Sequence, residues 1–410
     1  MNRRVYRYFI SITSQFYFCG VPFRLDSYKT CSFNCLYCYA RTRGGNFGFQ
    51  KQSFADPCKL EKLVRAALIY KKTSNAILEC LFRKVPLHWG GMSDPFQPCE
   101  NKHKISLMIL QILKEYNYPI IISTKSDLLI KEPYLSILKK YPNLIVQISL
   151  STSNDSLRKK LEPNVPSVNK RLNIIKTLSL NGIRTYCRIQ PLILRVNSND
   201  IKLIKLLRIS GCKKVIIEHY KVPIDSQEIN ERKINSIVGY DLKFEYKKLG
   251  AKLIGREYVL PAKTKLENLS NIVNYMKSCK MQYCFADNDL QYLGDSECCC
   301  GIDNINGFEN WFRHNIALAV HRGYRKGNIE YSLISKEWAP RGSIRMFLNS
   351  KCRINTNRLY KLKSMKDFIK HKWNTPNSVN SPTEFYNVAV NKKQRHGYFE
   401  YDFKKGGCYG

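Results

Sequence analysis

The sequence lacks any long apolar segment. None of its segments reaches the roughly 18 consecutive apolar residues that a membrane-spanning helix needs. Its start, MNRRVYRYFISITSQFYFCG, is basic and then apolar like a signal peptide, but Ser, Thr and Gln interrupt the apolar part and no small-residue cleavage site follows. This start predicts an amphipathic strand instead. We therefore expect a cytoplasmic protein that does not bind membranes, and whose 16 cysteines are mostly reduced thiols or metal ligands.

Acidic residues are few compared with basic ones. The 410 residues include 32 Asp and Glu against 68 Lys and Arg, which gives a formal net charge of +36. This imbalance favours a polyanionic partner, above all a nucleic acid. A lysine-rich, solvated surface without a partner is the alternative explanation.

Short apolar segments alternate with longer helical patterns over the first half of the chain. The apolar segments are rich in Ile and Val and are mostly apolar on both faces, as buried parallel strands are. They lie at 85–91, 118–126, 143–152, 183–193 and 213–220. The helical patterns lie at 58–84, 101–117, 132–141, 168–182 and 198–211. About six such units predict an α/β fold with a parallel sheet and helices outside it, arranged as a partial (β/α)6 barrel of the TIM type.

The character of the chain changes near residue 225. We predict a core barrel at 1–225 and a C-terminal extension at 226–410. The extension begins with a Lys- and Asn-rich helical pattern, becomes cysteine-rich at 279–301, and ends as a basic and aromatic segment. We expect it to contribute a second metal site and a basic substrate-binding surface.

Three cysteines lie in the stretch KTCSFNCLYCYART, at Cys31, Cys35 and Cys38. The stretch follows the first predicted strand of the barrel, and ligands of parallel α/β folds bind at the carboxyl ends of the strands. Thiolates suit iron–sulfur clusters or zinc, but a structural zinc site needs a fourth ligand, and the next cysteine, Cys58, lies in a helical pattern. Three protein ligands on a four-iron cluster would leave one iron open to bind a substrate or cofactor.

The spacing C-x3-C-x-aromatic-C, with Tyr37 as the aromatic residue, resembles the cluster-binding loop of radical SAM enzymes. Three further stretches are similar to the spore photoproduct lyase-related, or DNA repair photolyase-like, group of that superfamily. They are GGMSDPFQPCE at 90–100, STKS at 123–126 and LEPNVPSVNKRLNIIKTLSLNGI at 161–183. The resemblance covers roughly half of the chain and does not extend to the lyase reaction itself.

The resemblance implies a barrel of the radical SAM type with a [4Fe–4S] cluster on Cys31, Cys35 and Cys38. It implies that S-adenosylmethionine binds the open iron, and that one electron, from a donor such as flavodoxin or ferredoxin, cleaves it to methionine and a 5′-deoxyadenosyl radical. The candidate residues for binding S-adenosylmethionine are Tyr37, Gly90, Gly91, Ser93, Asp94, Ser123, Lys125 and Arg188.

Several of these candidates have a structural alternative. Gly90 and its neighbour could serve only to form a tight turn, and Asp94 could cap the turn before the following proline. Arg188 lies in an apolar strand and needs an anionic partner, for which the carboxylate of S-adenosylmethionine is a candidate. Glu162 and Arg171 are expected to form a structural ion pair.

A second group of five cysteines lies in the C-terminal extension, where neighbouring glycines indicate a loop. It could hold a second iron–sulfur cluster or zinc, or consist of buried or catalytic thiols. The five are Cys279, Cys284, Cys298, Cys299 and Cys300.

The sequence therefore favours a radical SAM enzyme that takes hydrogen from a nucleic acid or nucleotide, for modification or repair of DNA or RNA. A radical SAM enzyme that modifies a peptide or protein is one alternative. A metal-stabilised nucleic-acid-binding protein without catalysis is the other.

Overall fold

The computed structural model describes residues 4–41, 52–224, 228–344, 346–348, 364–393 and 396–404. An eight-stranded sheet has the strand order β1-β2-β3-β4-β5-β6-β7-β11, and its strands β2 to β7 run parallel to one another. The strands of this sheet are β1 (Ile10–Ile12), β2 (Phe23–Leu25), β3 (Leu87–Trp89), β4 (Ile120–Thr124), β5 (Leu144–Ser149), β6 (Arg184–Leu192), β7 (Lys214–His219) and β11 (Gln282–Phe285).

The predicted α/β class and the six parallel strands of a partial barrel are confirmed. Each parallel strand after β2 follows a helix in the chain, so the connections from β2 to β7 are βα units of the kind that the alternating pattern predicts. The central strands are buried along their length, as β4 shows with five buried residues out of five. The helices up to β7 are Pro57–Leu68, Ala76–Phe82, Glu100–His103, Ile105–Glu115, Tyr134–Lys139, Asp155–Leu161, Val168–Leu180 and Ile201–Ile209.

Two of the predicted helices are divided in the structure. The pattern at 58–84 becomes two helices because Asn75 caps the second one, accepting hydrogen bonds from the backbone of Ile77 and Leu78 at 3.1 Å each. The pattern at 101–117 is interrupted at Lys104, whose backbone is left-handed with φ +54°. In residues 4–20, the described part of the N-terminal stretch, the short strand β1 forms and turns follow it.

The chain forms two compact units. The first contains Met1–Ile10, Arg24–Glu61 and Leu87–Tyr283, and the second contains Ser11–Phe23, Lys62–Pro86 and Cys284–Gly410. The predicted functional division at residue 225 stays a prediction. Beyond β7 the elements are β8 (Val222–Pro223), β9 (Lys252–Ile254), β10 (Glu257–Val259), β12 (Val388–Lys393), β13 (Phe399–Phe403) and the helices Glu228–Val238, Leu242–Lys248, Ala262–Ser278, Ile316–Lys326, Ser332–Ser335, Met365–Trp373 and Pro382–Phe385.

Over the described ranges of the chain, no helix is both long and apolar enough to span a bilayer.

Candidate cofactor site and second cysteine group

The three cysteines of the first loop surround one small apolar cluster. Cys35 is buried with Phe33 and Val165, and Cys31 and Cys38 pack against this cluster while keeping partial exposure. The loop follows β2, as predicted, and therefore lies at the carboxyl end of a parallel strand. The thiols thus converge on one region from a single irregular loop.

Polar contacts from distant residues fix the backbone of this loop. Gln97, which is fully buried, accepts a hydrogen bond from the Ser32 N–H at 2.8 Å and donates one to the Thr30 carbonyl at 2.7 Å. Asn164 donates to the Ser32 carbonyl at 2.9 Å, and the Leu36 N–H donates to the Leu161 carbonyl at 2.9 Å. The loop is therefore braced from two of the stretches that carry the family resemblance.

A buried network centred on Glu162 lies beside the loop. Its carboxylate pairs with Arg171 at 2.7 Å and with the Lys125 ammonium at 3.1 Å, and it accepts a hydrogen bond from the Tyr37 hydroxyl. Burial alone would raise the pKa of Glu162, but the charges of Arg171 and Lys125 and the Tyr37 hydrogen bond outweigh it and hold the pKa at about 2. The predicted pair of Glu162 with Arg171 is present, and Tyr37 and Lys125 belong to the same network.

The thiols of the loop lie in an environment that disfavours their charged form. Burial raises the pKa of Cys31 to about 12. Burial also raises the pKa of Cys35 well above its usual range, although the nearby Lys125 ammonium opposes this shift. Metal ions bind thiolates, so loading of this loop releases protons.

The structure explains why the first residue of the predicted glycine pair, Gly90, is a glycine. Gly90 has φ +98°, and a Cβ there would lie 2.4 Å from the Ser123 carbonyl oxygen. The carbonyl of Gly91 accepts a hydrogen bond from the Tyr39 hydroxyl, which ties this turn to the cysteine loop. The backbone of Gly90 thus approaches protein atoms of β4 closely.

Asp94 and Ser93 are also engaged by the protein. The Asp94 carboxylate accepts hydrogen bonds from the Lys125 N–H at 2.7 Å, the Thr124 hydroxyl at 2.7 Å and the Phe96 N–H at 2.9 Å. The Ser93 hydroxyl donates to the carbonyl of Tyr28. Asp94 therefore caps the turn, as the structural alternative expected, and joins the end of β3 to the end of β4.

A row of polar side chains crosses β3 to β7. His88 Nε2 lies 2.7 Å from Ser123 Oγ, which donates to Gln147 at 3.2 Å, and Gln147 also accepts from Arg188 Nη1 at 3.0 Å. Arg188 Nε donates to Gln190 at 3.0 Å. We call this set the polar row, and it continues through Gln190 to Glu218 and Lys221.

Arg188 has an unusual position in the polar row. It is 8% exposed, and its described hydrogen bonds go to the neutral amide oxygens of Gln147 and Gln190. A buried guanidinium without a directly paired anion retains the capacity to bind one. The geometry therefore keeps Arg188 as a candidate for the carboxylate of a bound cofactor.

Asp26 follows β2 and is a site residue that the sequence did not suggest. It accepts hydrogen bonds from the backbone of Met92 at 2.8 Å and Ser93 at 3.3 Å. Burial raises its pKa to about 7, although these hydrogen bonds and the charge of Arg24 oppose the shift. Only the position of Asp26, just before the cysteine loop, could have indicated it.

The second cysteine group is only partly assembled. Among the described residues, the sulfur atoms of Cys298, Cys299 and Cys300 form a group in which all lie within 4.8 Å of one another. Cys279 belongs to the first compact unit and donates its S–H to the Met276 carbonyl. Cys284 is buried and is the first residue of the C-terminal segment of the second unit. The expectation that the three consecutive cysteines lie in a loop is met, since bends and turns span them.

Cys19 adds a further thiol beside this group. The pKa of Cys299 lies well above its usual value. Its hydrogen bond with Cys298 lowers this pKa, but the hydrogen bond with Cys300, burial, and the nearby thiols of Cys300 and Cys19 raise it more. A Cβ placed on Gly20 would lie 2.7 Å from the Cys298 sulfur, so the backbone next to Cys19 contacts the group. No sequence pattern indicated Cys19, because it lies far along the chain from Cys298, Cys299 and Cys300.

Residues 26–207 match the family profile described as the Radical SAM superfamily. An uncharacterized protein of Methanocaldococcus jannaschii is 26% identical over 174 residues, which are 42% of this chain and 61% of that protein. An uncharacterized protein of Mycobacterium tuberculosis is 24% identical over 191 residues, 46% of this chain and 55% of that protein. The chain thus spans little more than half of the length of these relatives.

A solved structure of a spore photoproduct lyase variant shares the fold. It is 13% identical, has a TM-score of 0.50, and the alignment covers 69% of this chain and 80% of that one. The cysteine loop suits the cluster of the superfamily, because its three thiols lie around one cluster of side chains at the carboxyl end of a parallel strand. Residues 26–207 are therefore a radical SAM domain, a type of enzyme domain whose cofactors are a [4Fe–4S] cluster and S-adenosylmethionine.

Proposed function

We propose that this enzyme takes a hydrogen atom from a nucleic acid or nucleotide. Cys31, Cys35 and Cys38 would hold the cluster. When both cofactors are bound, the cluster would supply one electron to S-adenosylmethionine, which would be cleaved to methionine and a 5′-deoxyadenosyl radical that takes the hydrogen atom. The electron would come from a small donor such as flavodoxin or ferredoxin.

The polar row and the buried network would position the bound molecules. Arg188 would pair with the carboxylate of S-adenosylmethionine, because its described partners are neutral amides. Ser123 lies between His88 and Gln147 at the end of β4 and would offer its hydroxyl to the ribose. Lys125, Tyr37 and Glu162 would hold the cysteine loop in place rather than touch the substrate.

The main observation that supports a nucleic acid or nucleotide as the substrate is the net charge of +36. Basic residues neutralise phosphates and release counterions, so such a charge supports binding of a polyanion. Part of it lies on the helix Met365–Trp373, which buries Phe368 and Trp373 and exposes Lys366 and Lys370.

The helix Met365–Trp373 contacts the hairpin of β12 and β13. The Trp373 indole donates to the Phe399 carbonyl at 2.8 Å, and the Lys370 ammonium lies over the ring of Tyr398. The exposed Lys393 lies over the ring of Phe399. We call Lys366, Lys370, Lys393, Tyr398 and Phe399 the tail basic face.

The aromatic rings of the tail, the basic and aromatic segment that follows the cysteine-rich stretch 279–301, are only partly available for stacking. Tyr398 already stacks on Tyr331, with ring centroids 4.3 Å apart, and Arg83 lies over the ring of Trp338. Tyr360, a further aromatic of the tail, lies outside the described residues. Binding by this face would therefore depend on charge more than on stacking of bases, which adds about 1–3 kcal/mol per base where it occurs.

Salt dependence of binding tests the proposal. The cluster-loaded protein should bind single-stranded DNA or RNA, and a site with about six phosphate contacts should lose roughly a thousandfold in affinity between 50 and 200 mM salt. The double variant Lys370→Glu/Lys393→Glu should bind more weakly and reduce the slope of log affinity against log salt by about 2. The double variant Lys139→Glu/Lys248→Glu has the same change in charge at exposed positions of the first unit and should change this slope less.

Two results would overturn the proposal. If the cluster-loaded protein binds neither DNA nor RNA at low salt, a peptide or protein substrate becomes the better explanation of its charge. If it binds nucleic acid but releases no 5′-deoxyadenosine from S-adenosylmethionine under reducing conditions, the hydrogen-abstraction step is wrong.

A further inference from the structure

The three consecutive cysteines of the second unit lie close enough together to bind a single metal ion. The sulfur atoms of Cys298, Cys299 and Cys300 all lie within 4.8 Å of one another. Four thiolates around one zinc ion, at about 2.3 Å each in a tetrahedron, stand about 3.8 Å apart. In a four-iron cluster each thiolate binds a separate iron, so the sulfur atoms are spread more widely. The observed spacing favours a single ion.

Cys19 is the candidate for a fourth thiolate, because the residue after it contacts the first of the three consecutive cysteines. Gly20, the next residue, lies against the Cys298 sulfur and the ring of Trp311, and its carbonyl accepts a hydrogen bond from the Phe312 N–H at 2.8 Å. Cys19 is half-buried, and its thiol is near enough to Cys299 to affect that thiol electrostatically. The two chain segments are thus already joined beside the three consecutive cysteines.

The loop that carries the three cysteines is held in shape by other residues. The Asp303 carboxylate accepts hydrogen bonds from the N–H groups of Glu297 at 3.1 Å and Cys298 at 3.3 Å. Glu297 in turn pairs with Arg322 at 3.0 Å, and the Gly301 N–H donates to the Cys298 carbonyl at 2.8 Å. A tight loop fixed on both sides can direct consecutive side chains to one centre, as a regular helix or strand cannot.

We propose that Cys19, Cys298, Cys299 and Cys300 bind one zinc ion in a structural site of the second unit. Four thiolate ligands leave no open position for a substrate, so the ion would stabilise the fold and take no part in the radical reaction. The site would link the N-terminal segment Ser11–Phe23 to the loop that begins the C-terminal part of the same unit.

Metal analysis in a background without the first cluster tests this site. The variant Cys31→Ala/Cys35→Ala/Cys38→Ala, produced without oxygen, should contain about one zinc per chain and no iron. Adding Cys19→Ser or Cys299→Ser should remove most of this zinc. Adding Cys58→Ser, at an exposed cysteine of the helix Pro57–Leu68, should leave the zinc unchanged.

A second readout covers the case in which these variants fail to fold. Exchange of cobalt(II) into the background variant should give the visible absorption of a tetrahedral thiolate site. Cys19→His keeps a metal ligand at position 19 and should retain the metal while shifting this absorption. A content of several additional iron atoms, or the absence of bound metal, would overturn the zinc site. An unshifted cobalt spectrum in Cys19→His would exclude Cys19 as a ligand.

Discussion

The two cysteine groups of this protein differ in sequence spacing and in how the structure supports them. In the first loop, Cys31, Cys35 and Cys38 are separated along the chain and surround an apolar cluster. In the second, three cysteines are consecutive and their sulfur atoms lie within 4.8 Å of one another. The first arrangement suits a cluster of several irons and the second a single ion, so the spacing of thiols in space indicates the size of the metal centre.

The support of the two groups differs as well. The first loop is adjacent to a buried network of charged groups, with Glu162 between Arg171 and Lys125. The second loop is held mainly by Asp303 and by the half-buried pair of Glu297 with Arg322. A buried network of charges fixes the surroundings of the first loop, but it also makes that region sensitive to the loss of any one charge.

The largest expected effect comes from removing the ligands of the first loop. Cys31→Ala/Cys35→Ala/Cys38→Ala should abolish release of 5′-deoxyadenosine and the broad absorption of the iron–sulfur cluster, because no thiolate is left to hold the irons. Cys58→Ala, at an exposed cysteine, should keep both. Cleavage of S-adenosylmethionine by the triple variant would exclude these residues as the cluster ligands.

A smaller effect should follow when the buried network loses one charge. Arg171→Met leaves Glu162 buried with Lys125 as its remaining cationic partner, and should lower the free energy of unfolding by about 3–5 kcal/mol. Lys176→Met, at an exposed position of the same helix, should change it by less than about 0.5 kcal/mol.

Urea or thermal unfolding of the two proteins measures this difference. Equal stability of Arg171→Met and Lys176→Met would mean that the network does not support the first loop. Addition of Glu162→Gln to Arg171→Met should recover part of the loss, since it removes a buried carboxylate that has lost its closer cationic partner.

The last expected effect is a change of stability with pH. Burial gives Asp26 a pKa of about 7 in the folded protein, compared with 3.8 for an ordinary aspartate, so its contribution to stability is complete below about pH 4 and is lost as the pH rises through about 7. The stability advantage of the wild-type protein over Asp26→Asn should therefore decrease between about pH 4 and pH 7.

The free energies of unfolding of the wild-type protein and Asp26→Asn, measured at several pH values, check this decrease. His314, whose pKa burial lowers to about 4, has the opposite dependence, but both proteins carry it and it cancels in the difference. The stabilising contribution of Glu162, whose pKa is about 2, is complete above about pH 4.5 and is lost only at lower pH, and both proteins carry this residue as well. A difference between the proteins that is constant from about pH 4 to pH 7 would contradict the raised pKa of Asp26.

Much of the fold could be predicted because it depends on local patterns. The apolar segments at 118–126 and 143–152 became β4 and β5, since buried parallel strands need apolar residues on both faces. The division of the helical pattern at 58–84 was missed, because the capping by Asn75 competes with a continuous hydrophobic pattern.

The site was predictable where it depends on a short motif and unpredictable where it depends on the fold. The spacing of Cys31, Cys35 and Cys38 indicated the loop directly. The roles of Asp94 as a cap and of Gln97 as a brace required the distances to Thr124 and Thr30, which only the folded chain provides. The proximity of Cys19 to Cys299 had no local signal at all.

The discontinuity of the second unit has a consequence for how the chain is made. The segments Ser11–Phe23 and Lys62–Pro86 are synthesised well before their partners in Cys284–Gly410. The Glu79 carboxylate, for example, accepts hydrogen bonds from the N–H groups of Arg341 and Gly342 at 2.7 and 2.6 Å. Until these later residues emerge from the ribosome, the apolar side chains of the earlier segments lack their final packing, so the nascent chain carries an aggregation risk that folding chaperones are suited to reduce.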